Sequence, residues 1–230
     1  MKKKVIVLSL GGSLIVLDEI NYSYLKKFKE VLKKHYKDYK FVVVCGGGKT
    51  ARRYIEGISH VSSDLHLMGL AGISVTRMNA RFVSYFFGNE REEIGAPHDI
   101  NEIKKVLKKN DVVFCGALTY KTGATTDCQA AIIAKEFKSD LVNLTDVDGL
   151  YTKNPKKYKD AKFIPSISWK DFDTMANAIK FYPGQHFVID QKASKFILKN
   201  KIRTIIIGDN LRELDNYLKG KKFDGTIIEN

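Results

Sequence analysis

The 230-residue sequence predicts an α/β fold, a three-layer sandwich with helices on both faces of a mainly parallel central sheet. Short β-branched runs alternate with longer amphipathic stretches, which is the rhythm of βαβ units. Two runs, Phe41–Val44 and Ile205–Ile207, are apolar throughout instead of alternating, as strands buried on both faces are. Three glycine-rich turns follow such runs directly, at the point where a parallel strand hands over to a helix.

In chain order, the first strand is expected over Val5–Leu10 and ends at Gly11-Gly12. A helix over Tyr22–His35, a strand over Phe41–Cys45 and a helix over Lys49–Gly57 come next. A long helix around Gly72–Phe87 and another over Ile100–Lys108 lead to a strand at Val112–Cys115. Then come the helix Asp127–Phe137 and the strand Leu141–Leu144. The stretch Tyr151–Pro165 is polar, rich in Tyr and Lys and without helical period, so it predicts an excursion or hairpin off the sheet. Helices over Trp169–Ala178 and Gln191–Leu198, a strand over Ile202–Ile207, a helix over Arg212–Leu218 and a strand over Thr226–Ile228 complete the series. No repeat, linker or low-complexity segment interrupts it. One unit over 1–230 is expected, with a soft boundary near Lys138 between two halves that share the sheet.

Composition narrows the functional classes. Charged residues make up 28% and hydrophobic residues 44%, the balance of an ordinary globular protein. No apolar run approaches the roughly 20 residues that span a bilayer. The basic start Met1–Lys4 is followed by an apolar run that stops at Gly11, too short for a secretory leader, so a cytoplasmic protein is expected. The net charge of +13 comes from lysines spread over every expected helix, without the clustering and interleaved aromatics of a nucleic-acid surface. No nucleic-acid or membrane partner is expected, while a basic field suits an acidic small-molecule substrate. Cys45, Cys115 and Cys128 lack metal-ligand spacing, and two of them close apolar runs, so they read as small buried thiols.

The chemistry is concentrated in the turns. These are Gly11-Gly12-Ser13, then Gly46-Gly47-Gly48-Lys49-Thr50-Ala51-Arg52-Arg53, then Gly116 through Gly123-Ala124-Thr125-Thr126-Asp127. Glycine lets backbone N–H groups approach an anion, and the helix that follows adds the positive end of its dipole. The spacing matches neither the Walker P-loop nor the dinucleotide fingerprint, so these turns form a phosphate binder of another kind. After the fourth strand, Thr145-Asp146-Val147-Asp148-Gly149 offers either a simple turn or carboxylates that hold a nucleotide or its cations. Asp190 and Lys195 flank the start of a late helix and are expected on roughly one face.

Taken together, these blocks resemble the amino-acid kinase superfamily. Gly11-Gly12-Ser13, Cys45 through Ile55, Thr76-Arg77-Met78-Asn79-Ala80, Thr125-Thr126-Asp127, Thr145 to Tyr151, Asn154-Pro155 and Gly225-Thr226-Ile227-Ile228 carry the likeness in order over nearly the whole chain. The combination is most similar to uridylate (UMP) kinases of the archaeal type. That resemblance implies phosphorylation of UMP to UDP by ATP, with Mg²⁺ accompanying the ATP and no metal bound by protein ligands of its own. It also implies a homo-oligomer, dimer or hexamer, packed through the N-terminal half. The N-terminal half, about 1–138, would bind the acceptor, and the C-terminal half, about 139–230, the ATP.

For individual residues, the resemblance implies catalytic roles for Lys195, Arg52 and Gly12. It puts Gly11, Gly12, Gly48, Arg52, Thr145, Asp146, Tyr151 and Asn154 at the ATP, with Tyr151 near the adenine. At UMP it puts Gly47, Gly116, Thr122, Gly123, Thr125 and Thr126. Ser9 stands where many superfamily members carry a catalytic lysine, a lysine that the archaeal uridylate kinases also lack. Gly69 stands where the family has an aspartate that binds the ribose, and Asp64 or His66 takes over that contact only if the loop is shifted. The acceptor loop, Ala117 to Ala124, is longer and differently composed than the archaeal pattern. Two other readings stay open at this point: a kinase of the same fold acting on another small phosphate, carboxylate or carbamate, and a non-catalytic nucleotide- or oxyanion-binding protein.

Overall fold

The computed structural model describes residues 3–88, 96–120, 125–178 and 188–230. Its strands are β1 (Lys4–Leu10), β2 (Tyr39–Cys45), β3 (Val112–Cys115), β4 (Leu141–Leu144), β5 (Leu150–Tyr151), β6 (Phe163–Ile164), β7 (Ser166–Ile167), β8 (Thr204–Ile207) and β9 (Thr226–Ile228). Its helices are α1 (Gly12–Ile15), α2 (Tyr22–Lys34), α3 (Gly48–Ser59), α4 (Leu65–Phe86), α5 (Ile100–Lys109), α6 (Thr126–Phe137), α7 (Trp169–Ala178), α8 (Gln191–Asn200) and α9 (Leu211–Leu218).

Seven strands form one sheet in the order β3-β2-β1-β4-β8-β9-β7, parallel except where β8 meets β9. The expected excursion is the antiparallel pair β5–β6, in which Leu150 faces Ile164 and Tyr151 faces Phe163. Four strand pairings set a common line at the strand ends. Leu10 is paired with both Cys45 and Leu144, Val44 with Cys115, and Leu144 with Ile207. Five parallel strands therefore end on one line, and the turns that follow them share one edge, although residues 11 and 208 are far apart in sequence.

Alternation along the strands divides the core in two. Leu8, Leu10, Val43, Val142 and Ile205 face a cluster with α2, α4 and α9. Val7, Val42, Val44, Leu141 and Ile206 face the other, with α5, α6 and α8 and Phe172 of α7. The same alternation turns Ser9 and Asn143, partners in the β1–β4 register, toward the second face. Both are buried polar residues, and both find partners there: Asn143 Nδ2 donates to Val188 O at 2.6 Å, and Ser9 Oγ donates to Asp127 Oδ1 at 2.8 Å.

Most expected elements form within one or two residues of their predicted bounds; one helix start is corrected, one strand start shifts by two residues, and two short elements are added. The long helix begins at Leu65 and not near Gly72. Gly69 and Gly72 lower helix propensity there, by about 1 kcal/mol each against alanine, and Asp64 offsets this by accepting from His66 N at 2.7 Å as an N-cap. The last central strand starts at Thr204, because Ile202 N closes the end of α8 by donating to Ile197 O at 3.1 Å. Ser166–Ile167 adds an edge strand and Gly12–Ile15 a single helical turn, neither of them expected.

Candidate active site

Two of the three glycine turns meet, and α4 holds the third on the same edge. A Cβ on Gly12 would lie 2.2 Å from Gly48 N and 2.6 Å from Gly47 C, so the turns after β1 and β2 are in backbone contact. Gly48 has φ +59°, the left-handed conformation that admits glycine without strain, and its own Cβ would strike Gly12 C at 2.8 Å. Gly11 packs on the end of β4, where its N–H donates to Leu144 O at 3.0 Å and a Cβ would meet the same oxygen at 2.9 Å. Thr145 N continues the line by donating to Ile207 O at 3.0 Å.

Helix α4 clamps the outer turns. Asn79, buried, donates from Nδ2 to Gly46 O at 2.8 Å. Thr76 Oγ1 accepts from Ala117 N at 3.0 Å, and Arg77 donates to Ala117 O at 3.2 Å and to Leu118 O at 2.6 Å. Gly116 is pressed against this helix so closely that a Cβ would lie 2.6 Å from Arg77 N. The sequence block Thr76–Ala80 carries the family likeness; its part in holding two loops becomes visible only in three dimensions. The signal was there in a Thr and an Asn, Thr76 and Asn79, about one turn apart on the buried side of the helix.

A second group of polar residues lies beneath the β3–α6 connection. Thr125 caps α6, its Oγ1 accepting from Asp127 N at 3.2 Å, and donates the hydroxyl proton to Asp190. Asp190 in turn caps α8, accepting from Lys192 N at 2.8 Å and Ala193 N at 3.1 Å. Burial pushes the Asp127 carboxyl up to about 7; the negative Asp190 adds to the shift and the Ser9 hydrogen bond opposes it. The expectation that Asp190 and Lys195 share a face is corrected: the cap carboxylate turns to the first-turn amides and Thr125, while Lys195 stands exposed one turn further on. Arg52, one turn into α3, is exposed as well. Neither cation has a partner among the described residues.

Asp146, Tyr151 and Asn154 lie on the other side of the edge, around the β5–β6 hairpin. Asp146 pairs with the ammonium of Lys156, a cation that the sequence reading did not single out, and lies 3.4 Å from the Thr145 hydroxyl. Asn154 Oδ1 accepts from Lys156 N at 2.9 Å, which shapes the same turn. The Tyr151 ring packs edge to face on Phe163 with centroids 5.4 Å apart, and burial raises its hydroxyl pKa. Thr145, next to Asp146, connects them to the first glycine turn: a Cβ on Gly11 would lie 3.9 Å from its Cα. Thr126 opens α6, Gly47 precedes α3, and Thr122 and Gly123 lie outside the described residues. Cys45, Cys115 and Cys128 are buried and outside any disulfide among the described residues, and burial pushes the Cys115 thiol up to about 12.

A seven-stranded, mainly parallel sheet whose strand ends carry glycine turns along one edge is an α/β architecture of the kind that receives ligands at that edge. The chain belongs to the amino acid kinase family, whose model matches residues 4–208. It is 32% identical over 225 residues to a uridylate kinase of Thermoplasma volcanium, covering 97% of each chain. To a uridylate kinase of Pyrococcus abyssi it is 34% identical over 227 residues, covering 97% of this chain and 99% of the other. The crystal structure of uridylate kinase from Archaeoglobus fulgidus superposes with a TM-score of 0.82 at 30% identity, covering 97% of this chain and 99% of that one.

Proposed function

We propose that the protein transfers the γ-phosphoryl group of ATP to UMP, forming UDP. The observation that carries this reading is the backbone contact of the first two glycine turns, with the third tied to the second through α4, in a chain that is similar along nearly its whole length to archaeal uridylate kinases. The first and second turns, through Gly11, Gly12 and Gly48, present backbone amides to the phosphates under transfer. Arg52 on α3 and Lys195 on α8 are exposed and have no ion-pair partner among the described residues, which leaves their charge for the phosphates. Gly47, Gly116, Thr125 and Thr126 hold the acceptor, with Thr122 and Gly123 continuing that loop. Thr145, Asp146, Tyr151 and Asn154 hold the nucleoside end of ATP.

Little covalent chemistry is asked of the protein. The acceptor phosphate oxygen arrives ionised, so alignment and neutralisation of charge on the moving group suffice. Arg52, Lys195 and the turn amides supply fixed positive charge where negative charge develops. Among the described residues no group of three or more His, Cys, Asp or Glu is placed to cage a metal. That donor set fits Mg²⁺ carried on the nucleotide's own phosphates, which it screens when bound.

An oligomer built through the N-terminal half accompanies the reading, because α3 and α4 expose Tyr54, Leu65, Leu67, Leu70 and Met78, with Val61 between them. A dimer or hexamer in light scattering would bear it out. Buried free thiols suit a cytoplasmic location, and no described helix is long and apolar enough to cross a membrane. The deciding experiment incubates the protein with Mg-ATP and a panel of UMP, CMP, AMP, GMP and small carboxylates, reading ADP release. UMP is expected to be converted fastest. A faster carboxylate or carbamate would replace the acceptor assignment, and no turnover of any acceptor would reject the kinase.

A further inference from the structure

At position 69, a Cβ would lie 2.0 Å from Cε2 and 2.6 Å from Cδ2 of Tyr120. The notch left by this glycine on α4 is therefore filled by an aromatic ring from the β3–α6 connection. Two further contacts seat the ring: its hydroxyl donates to Leu65 O at 3.3 Å, and it meets His66 edge to face with centroids 4.4 Å apart. Along α4 the notch lies seven residues before Thr76, about 10 Å at 1.5 Å per residue. Thr76 is the point where α4 grips Ala117 beside Gly116. A nucleoside monophosphate with its phosphate at the glycine turns extends along this part of α4 toward Tyr120.

The polar side chains on that stretch are mostly committed to the protein. Asp64 accepts from His66 N, Ser74 donates to Leu70 O at 2.9 Å, and Thr76 donates to Ile73 O at 2.7 Å while accepting from Ala117. The carboxylate of Asp64 is the only one between residues 64 and 76. A sugar hydroxyl at position 69 meets the Tyr120 ring, while the Asp64 carboxylate lies five residues earlier, about 7 Å along the α4 axis.

We propose that Tyr120, seated on Gly69, is a specificity-determining residue of the acceptor pocket, an aromatic wall that holds the nucleoside by contact and leaves the 2′-hydroxyl unread. The inference rests on UMP as acceptor. A site that hydrogen-bonds a hydroxyl rejects the analogue lacking it strongly, whereas an apolar wall separates the two only weakly. UMP and dUMP should therefore show KM values within about threefold of each other. Losing an aromatic platform weakens binding of a base by roughly tenfold or more.

The test measures kcat and KM for UMP and dUMP at saturating Mg-ATP in the wild type and in Tyr120→Ala, Tyr120→Phe and Gly69→Ala, with thermal unfolding of each as a check on folding. Tyr120→Ala is expected to raise both KM values about tenfold with kcat within about twofold. Tyr120→Phe should recover most of that affinity, since the hydroxyl is spent on Leu65 O. Gly69→Ala should reproduce Tyr120→Ala by pushing the ring aside. A tenfold or greater preference of the wild type for UMP over dUMP overturns the proposal, as does an unchanged KM in Tyr120→Ala. A wild type that turns over neither nucleotide removes the acceptor assignment first, and this inference with it.

Discussion

The two ends of the parallel strands use charge in opposite ways. Where the strands begin, charged side chains neutralise one another. Lys3 pairs with Asp111 at 2.5 Å, and Arg203 bridges Asp140 at 2.9 Å and Glu229 at 2.6 Å. Asp140 also accepts from the Tyr217 hydroxyl at 2.6 Å. Where the strands end, Arg52 and Lys195 have no protein partner among the described residues, and the Asp127 carboxyl has a hydroxyl donor in place of a cation. Paired charges at one end hold the sheet's loops together. At the other end Lys49 pairs with Asp18 and Lys156 with Asp146, but Arg52 and Lys195 have no such partner among the described residues, which in the proposed reading leaves them for a ligand of opposite sign.

Substitutions can break this contrast, and the largest effect is expected at Gly12. Its Cβ would meet backbone at 2.2 Å, where no flexible side chain can give way, so Gly12→Ala should part the two turns. Turnover should fall by more than a hundredfold, and the melting temperature should drop as well. Near-normal turnover in steady-state assays would show that the turns tolerate separation.

Arg52→Ala and Lys195→Ala should each lower kcat by roughly a hundredfold, about 3 kcal/mol of barrier, while the thermal midpoint stays within about 1 °C of wild type. A variant that keeps its turnover would mark that residue as an ordinary surface charge. The converse substitution, Arg203→Ala, sharpens the comparison. It should cost about 1 kcal/mol of stability, or about 2–4 °C in melting temperature, and leave kcat unchanged.

Asp127 should link stability to pH. A carboxyl whose folded pKa of about 7 exceeds its usual 3.8 binds its proton more tightly in the folded state. Stability therefore falls as pH rises from about 4 to 7 and then levels off. Asp127→Asn, which keeps an acceptor for Ser9, removes the dependence. Its advantage over wild type should be on the order of 2 kcal/mol at pH 8 and vanish below about pH 4, in urea unfolding followed across pH. A constant difference between the two proteins would rule out the linkage. The smallest effect is expected at the exposed Asp146–Lys156 pair, where Lys156→Ala should change stability by a few tenths of a kcal/mol and KM for ATP by less than about threefold.

Much of this site is written locally in the chain. Each glycine turn is a short-range signal: an apolar run, then glycine, then a helix. Thr125 and Asp190 sit at helix starts for the same local reason, since their side chains bond amides two or three residues on. The buried strands Tyr39–Cys45 and Thr204–Ile207 are legible as unbroken apolar runs because both of their faces are covered. The hairpin after Tyr151 is legible from its loss of helical period.

Tertiary structure alone decided which turns meet and what seats them. The contact of Gly12 with Gly48 depends on the β1–β2 register, and the Ser9–Asp127 hydrogen bond spans 118 residues. The start of α4 is the clearest case. Propensity places it after Gly72, because glycine disfavours a helix, yet Gly69 is needed inside the helix so that Tyr120, 51 residues away, can pack against it. Local pattern reports what a segment's own backbone prefers. Which segment comes to lie beside it is set by sheet order and burial, quantities that belong to the whole chain.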